Sequence, residues 1–253
     1  IYDGLLRERQ TQSPATDGGR RVTDVFHDSR GNTVIERDTY YNEQEPSGEL
    51  FIVNNHDEIP RQTETKYDGA GRVTASVHVA RGEEKWRTST EYLGDRTLVT
   101  EPEGGTGTTT ITDARGRTTE KRTHHGRVPE GEYDATTYTY AKNDEIATLT
   151  DPGGNTWEYT YDLAGRKVEE LDPDTGRTTF TYDAADRLVT TTDARGRALF
   201  TGYDELGRET ERRDEGPDGP LRVERTYDTV AKGKPASLTR YVDVNAYTTE
   251  IVA

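Results

Sequence analysis

Apolar and polar residues alternate along short runs of this chain. Trp157, Tyr159 and Tyr161 share one face of such a run, with Thr156, Glu158 and Thr160 on the other. Val73, Ala75, Val77 and Val79 share a face in a second run, as do Leu221, Val223 and Tyr227 in a third. A period of two is the mark of a half-buried β-strand. Apolar spacing of three and four residues never persists beyond a turn or so. The pattern therefore predicts an all-β chain of strands about 5–6 residues long.

The runs recur on a fixed beat. Tyr140, Tyr161, Tyr182 and Tyr203 lie 21 residues apart, and Asp151, Asp172, Asp193 and Asp214 keep the same interval. Such self-similarity marks an array in which each unit is one supersecondary element. The shared motif is Tyr-Asp-x-x-Gly-Arg. It stands as Tyr67-Asp68-Gly69-Ala70-Gly71-Arg72, Tyr161-Asp162-Leu163-Ala164-Gly165-Arg166 and Tyr203-Asp204-Glu205-Leu206-Gly207-Arg208. Tyr182-Asp183-Ala184-Ala185-Asp186-Arg187 puts Asp in the glycine slot, Tyr2-Asp3-Gly4-Leu5-Leu6-Arg7 is degenerate, and Tyr227-Asp228 opens a copy that decays.

Asp at the first position and Gly three residues later predict a type I turn. The carboxylate accepts backbone N–H groups further along the turn, and the Gly takes a left-handed conformation that closes a bulged hairpin. Asp186 is tolerable there. Leu6 is not, so a different turn is expected at residues 3–7. Tyr ends the incoming strand and Arg opens the outgoing one, which places the guanidinium near a ring or a carboxylate. A second turn falls in the other half of each unit: Asp28-Ser29-Arg30-Gly31-Asn32, Asp113-Ala114-Arg115-Gly116-Arg117, Asp151-Pro152-Gly153-Gly154-Asn155, Asp172-Pro173-Asp174-Thr175-Gly176 and Asp193-Ala194-Arg195-Gly196-Arg197. Each unit is thus two strands and two turns. The array is regular over about 133–216, irregular with insertions over 1–132, and decaying over 217–253.

Composition complicates this picture. Only 29% of the 253 residues are hydrophobic and the net charge is −15, a balance that by itself signals disorder. The 15 Tyr, the many Thr and the regularly placed Gly argue otherwise, because Thr and Tyr suit a half-buried pleated surface. The acidic balance opposes a nucleic-acid partner. No Cys is present, so disulfides and thiolate metal sites are excluded. A chain that opens at Ile1 and holds no Met is expected to be a piece of something longer.

The Tyr-Asp-x-x-Gly-Arg units resemble the YD repeats of the RHS family, which includes bacterial RHS and wall-associated proteins, the C component of insecticidal ABC toxin complexes and the shell of animal teneurins. The stretch Thr226-Tyr227-Asp228 to Lys234-Pro235, with Thr239-Arg240-Tyr241, is similar to a segment of actinobacterial members. The resemblance implies an antiparallel β-hairpin array forming part of a spiralling hollow shell. That shell encloses a C-terminal cargo, often a toxic enzyme, in a secreted or surface-delivered protein. The implied partners are the rest of the parent chain and its cargo. No cofactor, metal, catalysis or membrane insertion by this segment is implied. Many members carry Asp-Pro-x-Gly-Leu, an intramolecular aspartyl protease motif near the end of the shell. Asp151-Pro152-Gly153-Gly154-Asn155 lacks the Leu and Asp172-Pro173-Asp174-Thr175-Gly176 lacks the Gly-Leu, so no catalytic residue is carried over.

Three insertions break the beat, at 41–60, 101–107 and 124–132. Insertions of this kind map to loops and often to recognition. Leu50, Phe51, Ile52 and Val53 form the apolar patch best suited to docking. Other chemistry is weaker. His124 and His125, being adjacent, point to opposite faces of a strand and cannot chelate one metal. Asp172, Asp174 and Thr175 open like a Ca²⁺ loop but lack its length and its closing Glu. Gly104-Gly105-Thr106-Gly107 has no Lys-Ser/Thr to make it a phosphate loop. Most Asp are accounted for by turns, which weakens any glycosidase-type pair. Two rival roles stay open: a cell-wall or carbohydrate-binding array presenting aromatics such as Trp86 and Trp157, and an enzyme hidden in the insertions around His56, His124 and His125.

Overall fold

The computed structural model describes residues 1–53, 56–229, 231–242 and 245–250. Asn54 and Asn55 of the first insertion, the His56 side chain, and Val230 of the decaying repeat lie outside the described residues. The chain divides into two units, Ile1–Ala135 and Thr136–Ala253. The only helical turn among the described residues is a three-residue 3₁₀ segment at His56–Glu58.

The first unit holds β1 (Gln10–Pro14), β2 (Arg20–His27), β3 (Thr33–Asn42), β4 (Gln62–Tyr67), β5 (Val73–Ala80), β6 (Glu83–Leu93), β7 (Arg96–Thr100), β8 (Thr108–Thr112) and β9 (Thr118–His124). Each pairs antiparallel with the next, a plain meander. The expected Val run is β5. Ala75, Val77 and Val79 are buried, while Val73 at its mouth is exposed. A second apolar cluster joins Val22, Tyr40 and Ile59, with Phe51 and Val53 packed against it. Burying a Val or Ile side chain contributes roughly 1.5–3 kcal/mol, so these few residues anchor the unit.

The same face of β2 also buries charge. Asp24, 1% exposed, accepts from Arg9 Nη1 at 2.9 Å, Gln10 Nε2 at 2.8 Å, Arg37 Nη1 at 3.2 Å and Tyr40 OH at 2.7 Å. The Arg9 and Arg37 guanidiniums also lie over the Phe26 ring, 3.6 and 4.9 Å from its centre. Burial, reinforced by the Asp24 carboxylate, pushes the Tyr40 hydroxyl above its ordinary range and keeps it a donor. A buried carboxylate is tolerable when its lone pairs are met in this way.

The second unit takes in most of β10 (Tyr133–Tyr140), then β11 (Ile146–Thr150), β12 (Thr156–Tyr161), β13 (Lys167–Asp172), β14 (Gly176–Tyr182), β15 (Leu188–Thr192), β16 (Ala198–Tyr203), β17 (Glu209–Asp214), β18 (Leu221–Tyr227), β19 (Pro235–Val242) and β20 (Asn245–Glu250). It too is an antiparallel meander from β10 to β20. Ala236 is its one fully buried apolar residue among those described. Half-buried Trp157, Tyr159 and Tyr161 lie on one face of β12, as the alternation predicts, with Glu158 and Thr160 exposed on the other. Thr–Thr pairs such as Thr150–Thr156 (2.9 Å) and Thr239–Thr248 (2.9 Å) bridge neighbouring strands. Cross-strand pairs contribute roughly 0.2–1 kcal/mol each, and this unit depends on many of them instead of a deep core.

Candidate functional site

The repeated Asp is a clamp of fixed geometry. Asp162 Oδ1 accepts from the N–H groups of Ala164 (2.9 Å) and Arg166 (3.0 Å), and Oδ2 from Arg166 Nε (2.7 Å). The backbone closes around it, with Asp162 N–H donating to Arg166 O and Gly165 N–H to Asp162 O. Asp68, Asp183 and Asp204 make the same three contacts with the motif residues that follow them. Gly71, Gly165 and Gly207 sit at φ 81°, 83° and 77°, and Asp186 at 63° in the same slot. The register slips by one residue beside Tyr67, Tyr161, Tyr182 and Tyr203, which is the expected bulge.

The turn at residues 3–7 departs from expectation. Leu6 adopts φ 60°, and Asp3 grips Leu5 N, Arg7 N and Arg7 Nε as Asp68, Asp162, Asp183 and Asp204 do in theirs. The turn is therefore of the common type. The three hydrogen bonds of the clamp hold a left-handed Leu that sterics alone disfavour by about 1–2 kcal/mol. A further copy is barely marked in the sequence. Ala141-Lys142-Asn143-Asp144-Glu145 closes with the same backbone bonds, and Asp144 takes φ 67°, with neither the leading Asp nor the closing Arg. Only the Tyr140 beat marks it in the sequence.

The second-half turns use the same device. Asp28 and Asp151 hold Asn32 and Asn155, whose Nδ2 atoms replace the Arg Nε at 2.9 and 2.8 Å. Asp113 grips Arg117 in the usual way. Asp172 accepts from Asp174 N, Thr175 N and Trp157 Nε1, so its oxygens serve the turn and fix the indole. Among the described residues no group of three or more His, Asp or Glu could hold a metal ion.

These contacts set the charge state. The Arg7 side chain, then its N–H, draws the Asp3 carboxyl down to about 2. Arg166 and Arg117 lower Asp162 and Asp113 chiefly through the side chain; for Asp68 and Asp183 the leading cause is the N–H of Arg72 and Arg187.

Four of the clamps also reach a tyrosine further along the chain. Arg72 lies 4.2 Å from the centre of the Tyr92 ring, Arg166 4.8 Å from Tyr182, Arg187 4.9 Å from Tyr203 and Arg208 4.3 Å from Tyr227. The same tyrosines donate through their hydroxyls to the carbonyl one residue past that Arg: Val73, Lys167, Leu188 and Glu209, at 2.8–3.1 Å. The guanidinium thus meets both a ring and a carboxylate. Arg166 and Arg208 add ion pairs to Asp186 and Asp228. From Asp162 to Tyr227, Asp, Arg and Tyr form a chain of contacts that links each regular repeat to the next.

The apolar patch splits in two. Phe51 and Val53 pack inward on the Val22 cluster, while Leu50 and Ile52 are exposed. His124 is buried, its Nε2 2.9 Å from Thr109 Oγ1 and its Nδ1 3.2 Å from Glu130 O. His125 turns outward beside Asp134 and Glu132. Trp86 is exposed and stacks on His78 with centroids 5.0 Å apart.

The RHS Repeat family matches residues 140–177 and 168–198, a span containing the motifs at Tyr161 and Tyr182. No curated protein matches the chain. Among solved structures, the TcdB2-TccC3 crystal structure is 16% identical, with a TM-score of 0.68, over 92% of this chain and 14% of that one. TcdB2-TccC3 without its hypervariable C-terminal region gives 17%, 0.68, 97% and 15% in the same order. A Tc holotoxin pore of Photorhabdus luminescens bearing a TccC3 mutation gives 18%, 0.69, 95% and 14%. At such identity the likeness speaks for the fold, and the chain spans 14–15% of the length of these solved chains. Residues 140–198 therefore carry RHS repeats, and the chain is all-β throughout its described residues apart from the single 3₁₀ turn.

Proposed function

We propose that this chain is a wall segment of an RHS shell that encloses and presents a C-terminal, toxin-type cargo within a longer secreted or surface-delivered protein. The observation that carries this reading is the Asp–Arg–Tyr relay. It commits the Asp, Arg and Tyr of the regular repeats to holding the next repeat in place. The relay asks for no cofactor and no reaction of its own. Its continuation needs only more repeats, supplied by the parent chain, and the RHS match with the likeness to TcdB2-TccC3 supports this.

Protease protection of the full parent protein tests the reading. The cargo should resist a broad-specificity protease while the repeats stay folded. It should be degraded at the denaturant concentration where strand dichroism is lost. Cargo digested at native conditions as fast as isolated cargo would contradict enclosure. Presentation of Trp86 or Trp157 to cell-surface glycans is the rival role. It requires chemical-shift or fluorescence changes at those indoles on titration with cell-wall oligosaccharides, and the wall reading expects none.

A further inference from the structure

Four Asp-Gly pairs occur in the chain: Asp3-Gly4, Asp17-Gly18, Asp68-Gly69 and Asp218-Gly219. A Gly that follows Asp has no Cβ to shield its backbone nitrogen from the Asp carboxyl carbon, and it turns freely about its own backbone. Closing a five-membered ring between the two is intramolecular, so access and orientation set its rate. Three of the four pairs are obstructed. Asp3 and Asp68 each have Oδ1 held by two N–H groups and Oδ2 by an Arg Nε at 2.7 Å. These contacts also keep both carboxyls ionised below their ordinary range, and a carboxylate resists attack by a nitrogen. At Asp218-Gly219 it is the glycine that is tied. Its N–H donates to Gly216 O at 3.1 Å, and a Cβ placed on it would collide with Asp214 O.

Asp17-Gly18 differs on each count. The pair sits at the tip of the loop joining β1 to β2, and both residues are exposed. Among the described residues the Asp17 carboxyl has no hydrogen-bond or ion-pair partner, and the Gly18 N–H has no acceptor of ordinary hydrogen-bond geometry. A Cβ on Gly18 would meet nothing within 4 Å, and its φ is +88°. One contact restrains it, the Tyr41 hydroxyl donating to Gly18 O at 3.1 Å. Gly19, by contrast, is fixed: a Cβ there would lie 2.5 Å from Asn42 O and 2.8 Å from the Tyr41 hydroxyl. Freedom in this loop is concentrated at the bond between Asp17 and Gly18.

We propose that Asp17-Gly18 is a site of spontaneous covalent modification, at which the folded chain converts aspartate to isoaspartate through a cyclic imide. The Gly18 nitrogen bonds to Cγ of the protonated Asp17 carboxyl, and the nitrogen's proton leaves with the carboxyl hydroxyl as one water. Water then adds back to either carbonyl of the imide. Opening at Cγ restores aspartate. Opening at the main-chain carbonyl breaks its bond to the Gly18 nitrogen, so that the chain runs through Cγ and a free α-carboxylate remains. One water is lost and one regained, and nothing is oxidised or reduced. The product adds a main-chain atom inside the span closed by the Ala15 N–H to Gly19 O bond of 3.0 Å. Its α-carboxylate is the group that isoaspartate methyltransferases esterify with S-adenosylmethionine. The inference stands apart from the shell reading, since it concerns one hairpin loop.

The test ages the full chain in warm, neutral buffer made with heavy-oxygen water, once folded and once in concentrated urea. Peptide mapping by mass spectrometry then reads heavy-oxygen uptake and isoaspartate at each of the four pairs, and methyl transfer by an isoaspartate methyltransferase checks the product. All four pairs share the Asp-Gly sequence, so in urea their rates should agree within a few-fold. In the folded chain Asp17 should convert at least tenfold faster than Asp3, Asp68 or Asp218. Conversion of the folded chain at similar rates at all four pairs would overturn the proposal, and so would a faster rate at any of the other three. A folded chain that shows no isoaspartate at Asp17 after the urea sample has converted would overturn it as well.

Discussion

At the scale of single residues, the slot three positions after the turn Asp decides whether a repeat closes cheaply. A Cβ on Gly165 would meet only Asn143 Nδ2 at 3.6 Å, so space is not the obstacle; the φ of +83° is. Gly165→Val should lower stability by about 1–3 kcal/mol through backbone strain, read as an earlier midpoint in urea unfolding. An unchanged midpoint would show that the turn can rearrange. The converse holds at Leu6, which is exposed and at φ 60°. Leu6→Gly should raise stability by about 0.5–1 kcal/mol, the left-handed penalty less the extra entropy that Gly loses on folding. The clamp carboxylates add a pH dependence of known sign. Arg contacts lower Asp3, Asp113 and Asp162 in the folded chain. Their contribution is complete above the unfolded value of about 4 and is lost as pH falls through the lower folded values. The thermal midpoint should hold from pH 7 to 5 and drop below about 4. Asp162→Asn should make that drop shallower, which thermal scans in acid would show.

At the scale of strands and turns, much was legible and the reasons are physical. The 21-residue beat, the period-two faces of β5 and β12 and the left-handed Gly slots all depend on local backbone geometry, which a sequence records directly. Leu6 and the Ala141–Glu145 turn were misread or missed because tertiary pairing can impose the turn on residues that do not favour it. The Asp24 cluster was invisible for a different reason. Asp in this chain nearly always marks a turn, and nothing local distinguishes the one that lies between Val22 and Phe26 on the inward face of β2. Its partners come from β1, the residue before it and β3, and only the pairing of β2 with both strands, Gln10 and Arg37 each opposite Asp24, brings them together. Asp24→Ala should cost about 3–5 kcal/mol, because it leaves the buried Arg37 charge and the part-buried Arg9 charge uncompensated. Replacing Asp24, Arg9 and Arg37 together by apolar residues of similar volume should cost clearly less. Chemical denaturation of the two variants compares them, and equal losses would mean that packing around Phe26, and not charge, sets the penalty.

At the scale of the whole chain, the alternation and the beat made the fold class readable before any coordinates, and the RHS resemblance added the expectation of a shell. The placement of Leu50 to Val53 was only half legible. The sequence shows four apolar residues in a row, but not that Phe51 and Val53 turn inward onto the chain's own core. A polar chain of this kind needs no thick apolar interior if each repeat is fastened to its neighbours by ladders, Thr pairs and the Asp–Arg–Tyr relay. The measurement that bears most directly on this account is an electron cryomicroscopy map of the complete parent protein. The account predicts that these repeats lie in a continuous β-wall, with a C-terminal segment of the parent chain inside the space the wall surrounds. A map with bulk solvent on both faces of the repeats and no enclosed polypeptide would contradict it.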